Sequence, residues 1–347
     1  MDFDKNRVFI IGEIGVNHNG DMDIARELID MAKEAGVDAV KFQSFNPEKI
    51  KIKSAPLAQY QQENTTFISS FAMSMKLKLS YEDHIQLKKY CDHKQVEFIS
   101  TAFDRDSADL LEQLGVNYHK IASGELTNWP LVKHIAQKNK PIILSTGMAD
   151  LDEIVRCVSL IKQFNNREIA VLHCVSLYPA DFNTLNLSFI KTLEAVFGSP
   201  IGYSDHSLGA EAGIAAVAMG ARVIEKHITL DKNMEGPDHK ASLSPEELRY
   251  YVQCIRNIEK AMGTSLKTMD DKELQMRNIS RKSIVVEKDI CAGDIFGWDN
   301  LSIKKPGTGI APEYINIILG RRAMHDLLID TILEWNMVGS VADVPTN

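Results

Sequence analysis

The 347-residue chain lacks any Cys-x-x-Cys pair, and its five cysteines, Cys91, Cys157, Cys174, Cys254 and Cys291, are odd in number and widely scattered. That excludes a disulfide framework and a cysteine zinc site as organising features. There is no surplus of positive charge: 39 basic against 47 acidic residues leave a net charge of −8. Nothing therefore supplies the broad field that holds a nucleic-acid backbone or an anionic membrane. No run approaches the roughly 18 apolar residues of a membrane span, and the start Met1-Asp2-Phe3-Asp4-Lys5 is not the basic-then-apolar pattern of a leader. A dinucleotide turn is missing too, because Gly12-Glu13-Ile14-Gly15 is not G-x-G-x-x-G. The expectation is a cytoplasmic protein that meets small molecules or a second copy of itself.

What is present is an ordinary globular composition, 44% hydrophobic and 25% charged. Short apolar runs recur at 8–14, 39–42, 97–101, 118–121, 142–144, 170–173, 201–203 and 223–224. Segments with helical apolar spacing, such as Ile24, Leu28, Ile29, Met31 and Ala32, lie between most of them. Strands without polar alternation are those of a parallel sheet covered by helices. Eight βα repeats within 1–263 predict a TIM (β/α)8 barrel, an α/β fold. Helix starts are expected at Ser80, Asp150 and Ser244, and glycine stops at Gly36, Gly115, Gly220 and Gly263. The polar segment 46–80 predicts an extended loop over the strand ends. A polar linker at 264–280 precedes a small C-terminal domain at 281–347 with short strands near 283–286, 294–296 and 301–303, marginal on its own and in need of a docking surface.

In such a barrel the carboxyl ends of the strands carry the chemistry. Here they hold Glu13, Lys41 and Gln43, Thr101, Lys120 with Ser123 and Glu125, Ser145-Thr146, Ser176 with Tyr178, Ser204-Asp205-His206, and Lys226-His227. A lysine inside a buried strand is costly unless something negative meets it. Two of them beside serine and threonine hydroxyls suit a phosphate or carboxylate. The alternative is that Lys41 and Lys120 pair with Glu13 and Glu125 as a structural ion network. His206 and His227 end adjacent strands, roughly 4.8 Å apart in a parallel sheet, and could share a divalent cation or be hydrogen-bonded structure. Such a two-histidine site would suit manganese better than structural zinc. His84, His93, His134 and His325 read as surface or packing residues, and Asp238 as a hydroxyl binder or part of a solvated turn.

These residues fall within Glu13-Ile14-Gly15-Val16-Asn17-His18-Asn19-Gly20, Val40-Lys41-Phe42-Gln43, Lys120-Ile121-Ala122-Ser123-Gly124-Glu125, Leu144-Ser145-Thr146-Gly147-Met148, Tyr203-Ser204-Asp205-His206-Ser207, Glu225-Lys226-His227 and Gly236-Pro237-Asp238-His239. In that order and spacing the chain resembles the bacterial sialic acid synthase family, phosphoenolpyruvate-condensing enzymes that make nonulosonic acids, over nearly its whole length. The resemblance implies a TIM barrel with an antifreeze-like (SAF) C-terminal domain. It also implies a homodimer in which each small domain covers the partner's barrel mouth. It implies condensation of phosphoenolpyruvate with N-acetylmannosamine to N-acetylneuraminate and phosphate, with C–O cleavage. Lys41, Thr101, Lys120, Ser123 and Ser204 are then the phosphoenolpyruvate cradle, with Ser176 near it. His206 and His227 are ligands of a divalent metal, manganese ahead of magnesium or cobalt. Glu13, Gln43, Tyr178 and Asp238 are amino-sugar contacts, and Glu13 also handles a proton or positions water. Lys305 stands where some members carry an arginine that reaches the N-acyl group, and offers a point charge in place of a planar fork. The rival readings are a synthase using a diacetylated mannose-type sugar to make a legionaminate, another phosphoenolpyruvate-dependent aldol-type synthase, and a non-catalytic carbohydrate-binding barrel.

Overall fold

The computed structural model describes residues 7–198 and 200–341. The amino-terminal start read above and residues 342–347 of the small domain lie outside the described residues. The chain divides into two units at Gly263/Thr264.

In the first unit, strands β1 (Phe9–Gly15), β2 (Ala39–Ser44), β3 (Glu97–Ala102), β4 (His119–Ile121), β5 (Ile142–Ser145), β6 (Ile169–Cys174), β7 (Ile201–Asp205) and β8 (Val223–His227) close an all-parallel barrel in sequence order. The strands outrun the apolar text at their carboxyl ends, where polar residues continue the ladder: Glu13 faces Lys41 on one side and His227 on the other. Eleven helices among the described residues accompany them: α1 (Met22–Ala35), α2 (Pro47–Ile50), α3 (Gln59–Asn64), α4 (Ser70–Leu77), α5 (Tyr81–Lys94), α6 (Arg105–Gln113), α7 (Trp129–Ala136), α8 (Leu151–Phe164), α9 (Phe189–Phe197), α10 (Glu211–Ala218) and α11 (Pro245–Met262). Their local signals are those the sequence carries. Asp21 caps α1 by accepting from Asp23 and Ile24, and Gly36 ends it at φ 85°. Ala25, Leu28, Ile29 and Ala32 form its buried stripe. Ser80, Asp150 and Ser244 each make a capping box.

Strand parity separates two cores. One face of the sheet, with Ile10, Val40, Phe98, Leu144, Val171, Tyr203 and Ile224, packs against the helices. The other, with Ile11, Ala39, Ile99, Tyr118, Ile143, Leu172 and Val223, fills the barrel interior. Each fully buried Val, Leu, Ile or Phe side chain among them contributes about 1.5–3 kcal/mol. Side chains two residues on point the same way, so Ile11 leads to Glu13, Ala39 to Lys41, Ile99 to Thr101, Tyr118 to Lys120, Ile143 to Ser145, Leu172 to Cys174 and Val223 to Glu225 and His227. The apolar plug thus ends in a polar layer.

The segment 46–80 is not the extended loop expected. It contains α2, α3 and α4, started by Asn46 and Pro47, by Ala58 with Gln61, and by Ser69. Met73 and Leu77 bury with Val16 against Phe45, Leu57 and Phe67. Helices this short are stabilised by packing and not by propensity, which is why polar text conceals them.

The second unit begins with α12 (Asp271–Ser280), a helix where a linker was expected, capped by Asp270 and burying none of its own residues. Antiparallel pairs β9 (Ser283–Val286) with β10 (Leu301–Lys304), and β11 (Arg321–Ala323) with β12 (Val338–Val341), surround α13 (Ile315–Ile318). The strand expected near 294–296 is one isolated bridge, Ile295 to Arg322, since turns close in on both sides. Ile284, Val286, Ile290, Phe296, Leu301, Ile310, Ile318, Leu327 and Leu333 form its core.

Candidate active site

The polar layer lines a cavity of about 480 Å³. Twelve of the thirteen residues to which the resemblance gives a role meet there: Glu13, Lys41, Gln43, Thr101, Lys120, Ser123, Ser176, Tyr178, Ser204, His206, His227 and Asp238. Lys305 follows β10 in the second unit, exposed and outside this lining.

Both strand lysines are buried, 3% exposed for Lys41 and 2% for Lys120. Lys41 Nζ lies 2.7 Å from Glu13 Oε2 and 3.7 Å from Glu225 Oε1, and donates to Thr101 Oγ1 at 3.1 Å. Lys120 Nζ donates to Ser145 Oγ at 2.7 Å and lies 3.7 Å from Glu225 Oε2. The partner of Lys120 is therefore Glu225 and not Glu125, which accepts instead from the Asn128 side chain at 2.7 Å. Glu125 sits on the turn Ser123–Glu125 beyond the end of β4 and lines the cavity from that loop.

Two lysines share two carboxylates, and the electrostatics divide them unequally. Burial pushes Glu13 up to about 7 against the pull of Lys41. Burial opposes the charge of Glu225 as well, but Lys120, Lys41 and His206 outweigh it and hold this carboxyl below its usual range. Burial works against the charge of Lys41 too, yet Glu13 and Glu225 raise its pKa, so it stays an ammonium. Lys120 is lowered, chiefly by burial. Glu225 lies one turn of the strand pleat before His227 and carries no motif signal of its own; its parity with His227 and its register opposite Ser204, whose Oγ donates to it at 3.1 Å, mark it as a site residue.

Beside the lysines a small recess is built around Gly147. A Cβ there would lie 2.2 Å from Ser176 Oγ, 3.0 Å from Ser123 Oγ and 3.1 Å from Cys174 Sγ. Gly147 N–H donates to Ser123 Oγ at 2.9 Å. Only glycine leaves these three groups room, and hydroxyls next to ammonium groups form an anion cradle.

Next to this recess, with Cys174 Sγ 3.8 Å from His206 Nδ1, the rings of His206 and His227 are 5.5 Å apart. The Tyr178 ring lies 4.2 Å from that of His206 and 5.7 Å from that of His227. Tyr60 of α3 stacks on Tyr178 at 5.1 Å. Burial raises the Tyr178 hydroxyl well above its ordinary value, so it remains a donor. His206 Nδ1 meets the Val175 carbonyl at 2.8 Å, which sets Nδ1 as a donor and leaves Nε2 as the nitrogen that a neutral ring would offer to a cation. His227 Nδ1 is buried with no hydrogen-bond partner among the described residues, and Asp238 Oδ2 is 4.0 Å from it. Burial and neighbouring cations push His227 well below its usual pKa, so it is neutral. No cluster of three or more metal-ligating side chains occurs among the described residues. Burial opposes the charge of His206, but Cys174 and the Val175 carbonyl outweigh it and raise its pKa. Together with neutral His227 and its orphaned nitrogen, it offers two imidazoles to a divalent ion, which displaces any proton on binding and takes its other ligands from water or substrate. Burial raises Asp238 to about 6. Besides Glu225, the lining adds Ser145, Cys174, Tyr60 and Lys51, whose Nζ donates to Ser70 and Ser74 at 2.7 Å.

A model of the NeuB family matches residues 28–267 and a SAF domain model matches 281–339. The chain belongs to the NeuB family. NeuB-family proteins are phosphoenolpyruvate-dependent nonulosonic acid synthases, transferases, and the fold here is the barrel with SAF domain expected of that resemblance. Among similar proteins is an N,N'-diacetyllegionaminic acid synthase of Legionella pneumophila, 44% identical over 95% of this chain and 94% of its own length. Another of the same name from Campylobacter jejuni is 44% identical over 94% of this chain and 99% of its own. The crystal structure of an N-acetylneuraminic acid synthetase from Leptospira borgpetersenii, in complex with citrate, is 35% identical with a TM-score of 0.71, covering 79% of this chain and 92% of that one. No helix among the described residues is long and apolar enough to cross a membrane.

Proposed function

We propose that this NeuB-family chain condenses phosphoenolpyruvate with an N-acylated, mannosamine-type aldehyde sugar, releasing phosphate by C–O cleavage. The observation that carries the reading is the convergence on one cavity of two buried lysines, a hydroxyl recess and two facing imidazoles. Lys41 and Lys120, with Thr101, Ser123, Ser145 and Ser204, hold the two anionic groups of phosphoenolpyruvate, and Ser176 borders the same recess. Tyr178, Gln43 and Asp238 hold the sugar.

In the reaction carbon three of phosphoenolpyruvate forms the new C–C bond to the sugar aldehyde, water adds at carbon two, and the C–O bond to phosphate breaks. Lys41 and Lys120, both buried at the strand ends, stabilise the charge gathering on the departing phosphate. Once the anion engages Lys41, Glu13 loses its 2.7 Å partner and is free to take a proton from the attacking water. A carboxyl near 7 is suited to that exchange at neutral pH. His206 and His227 would hold a divalent ion, manganese ahead of magnesium or cobalt, which supplies Lewis-acid polarisation of the sugar carbonyl when bound. A homodimer belongs to the same reading, with the partner subunit's Lys305 reaching the N-acyl end of the sugar; its exposure and lack of an ion pair among the described residues are compatible with that.

Three acceptors are in view: N-acetylmannosamine, its 6-phosphate and a diacetylated dideoxy mannose-type sugar. The 44% identity to two diacetyllegionaminic acid synthases, against 35% to the Leptospira synthetase, favours the diacetylated sugar. Phosphate release is to be measured with phosphoenolpyruvate, Mn2+ and each of three acceptors: the diacetylated sugar, N-acetylmannosamine and its 6-phosphate. The expected order of kcat/KM places the diacetylated sugar first; release with none of them overturns the enzymatic reading.

A further inference from the structure

Behind the two histidines, on the helix side of β7 and β8, lies a buried ion pair that the reaction does not touch. Asp205 and Lys226 are ladder partners, 0% and 1% exposed, with Lys226 Nζ 2.9 Å from Asp205 Oδ2. Parity puts them outside the barrel, since Ser204, His206, Glu225 and His227 all line the cavity. The Asp205 carboxylate also accepts from Ser207 N–H at 2.9 Å, Ser207 Oγ at 2.6 Å and Tyr251 Oη of α11 at 3.2 Å. Lys226 Nζ donates in addition to the Ser207 carbonyl and sits 5.6 Å over the Tyr251 ring. Gly213 of α10 packs so closely that a Cβ there would meet Tyr251 Oη at 2.0 Å, which keeps that hydroxyl in place.

The network grips the residues on both sides of His206, namely Asp205 and Ser207, and ties them to the residue before His227. A buried ion pair is a poor way to gain stability, because an apolar pair of similar volume does as well or better. Its specific product here is geometric: it fixes the ends of two strands relative to each other. We infer that Asp205 and Lys226 are positioning residues that set the spacing of the His206 and His227 imidazoles and thereby the affinity for the divalent ion. The inference rests on the two-histidine reading above.

The test is Mn2+ binding to the full-length protein without substrates, followed by the electron paramagnetic resonance signal of free Mn2+. The double variant Asp205→Asn/Lys226→Met removes both charges together, so neither is left buried alone. It is expected to bind Mn2+ at least tenfold more weakly than wild type, with the Mn2+ concentration for half-maximal turnover raised in parallel and kcat at saturating Mn2+ within about threefold. An unchanged Mn2+ affinity, whatever the change in thermal stability, is the result for a purely structural pair, and it overturns the inference while the two-histidine site stands. Absence of Mn2+ binding in wild type overturns both. Tyr251→Phe, which loses one hydroxyl from the network, keeps the test decisive if the double variant does not fold: a two- to threefold weaker affinity supports the inference, and an unchanged one refutes it.

Discussion

Replacing Glu13 by glutamine should make the protein more stable and inactive at once. Glu13 is 2% exposed, and its carboxyl is raised from 4.5 to about 7, burial being the largest cause. A carboxyl whose folded-state pKa exceeds its unfolded value opposes folding when ionised, so the penalty is absent below 4.5 and complete above about 7. At about 1.4 kcal/mol per pH unit the penalty reaches about 3 kcal/mol at pH 8. Glutamine keeps the shape and removes the charge, and Lys41 retains Glu225 at 3.7 Å, so no ammonium is stranded. Thermal unfolding of wild type and Glu13→Gln should therefore coincide at pH 5 to within a few degrees and separate at pH 8, the variant melting higher by roughly 6–12 °C at about 2–4 °C per kcal/mol. Phosphate release should meanwhile fall by about 10²–10⁴-fold, the usual contribution of a positioned proton-transfer group. A stability gap independent of pH would refute the electrostatic assignment, and near-normal turnover would refute the proton-handling role.

Two further outcomes follow from the same geometry. Lys120→Met removes one of two cations facing Glu225 and should lower kcat/KM for phosphoenolpyruvate by about 10²–10³-fold while leaving Mn2+ affinity unchanged, as steady-state kinetics and metal titration together would reveal. His227→Ala should abolish Mn2+ binding and turnover but change the melting temperature by only a few degrees, because its Nδ1 has no partner among the described residues to lose.

Much of this was legible in the sequence for identifiable reasons. Parallel strands covered on both faces leave continuous apolar runs, so all eight stood out, and polar residues interrupting each run at its carboxyl end marked the site. Capping residues such as Ser80, Asp150 and Ser244 act within one turn, and so do their signals. What escaped was tertiary. Glu125 and Glu225 are the same residue type and equally close to a motif, and only closure of the barrel, which turns the inward side chains of β4 and β8 toward one another, shows which one meets Lys120. Tyr60 reaches Tyr178 across 118 positions, from a short helix whose polar text gave no periodic signal. The buried pair Asp205 and Lys226 looked like neighbours of the histidines, and its place on the outer face became visible once the barrel closed.

The most direct test of the central claim uses phosphoenolpyruvate labelled with ¹⁸O at the oxygen bridging carbon two and phosphorus. With Mn2+ and an N-acylated mannosamine-type sugar, the label should leave entirely in inorganic phosphate, and only when the sugar is present. Label retained in the keto-acid product, or phosphate released without any acceptor, would contradict the account.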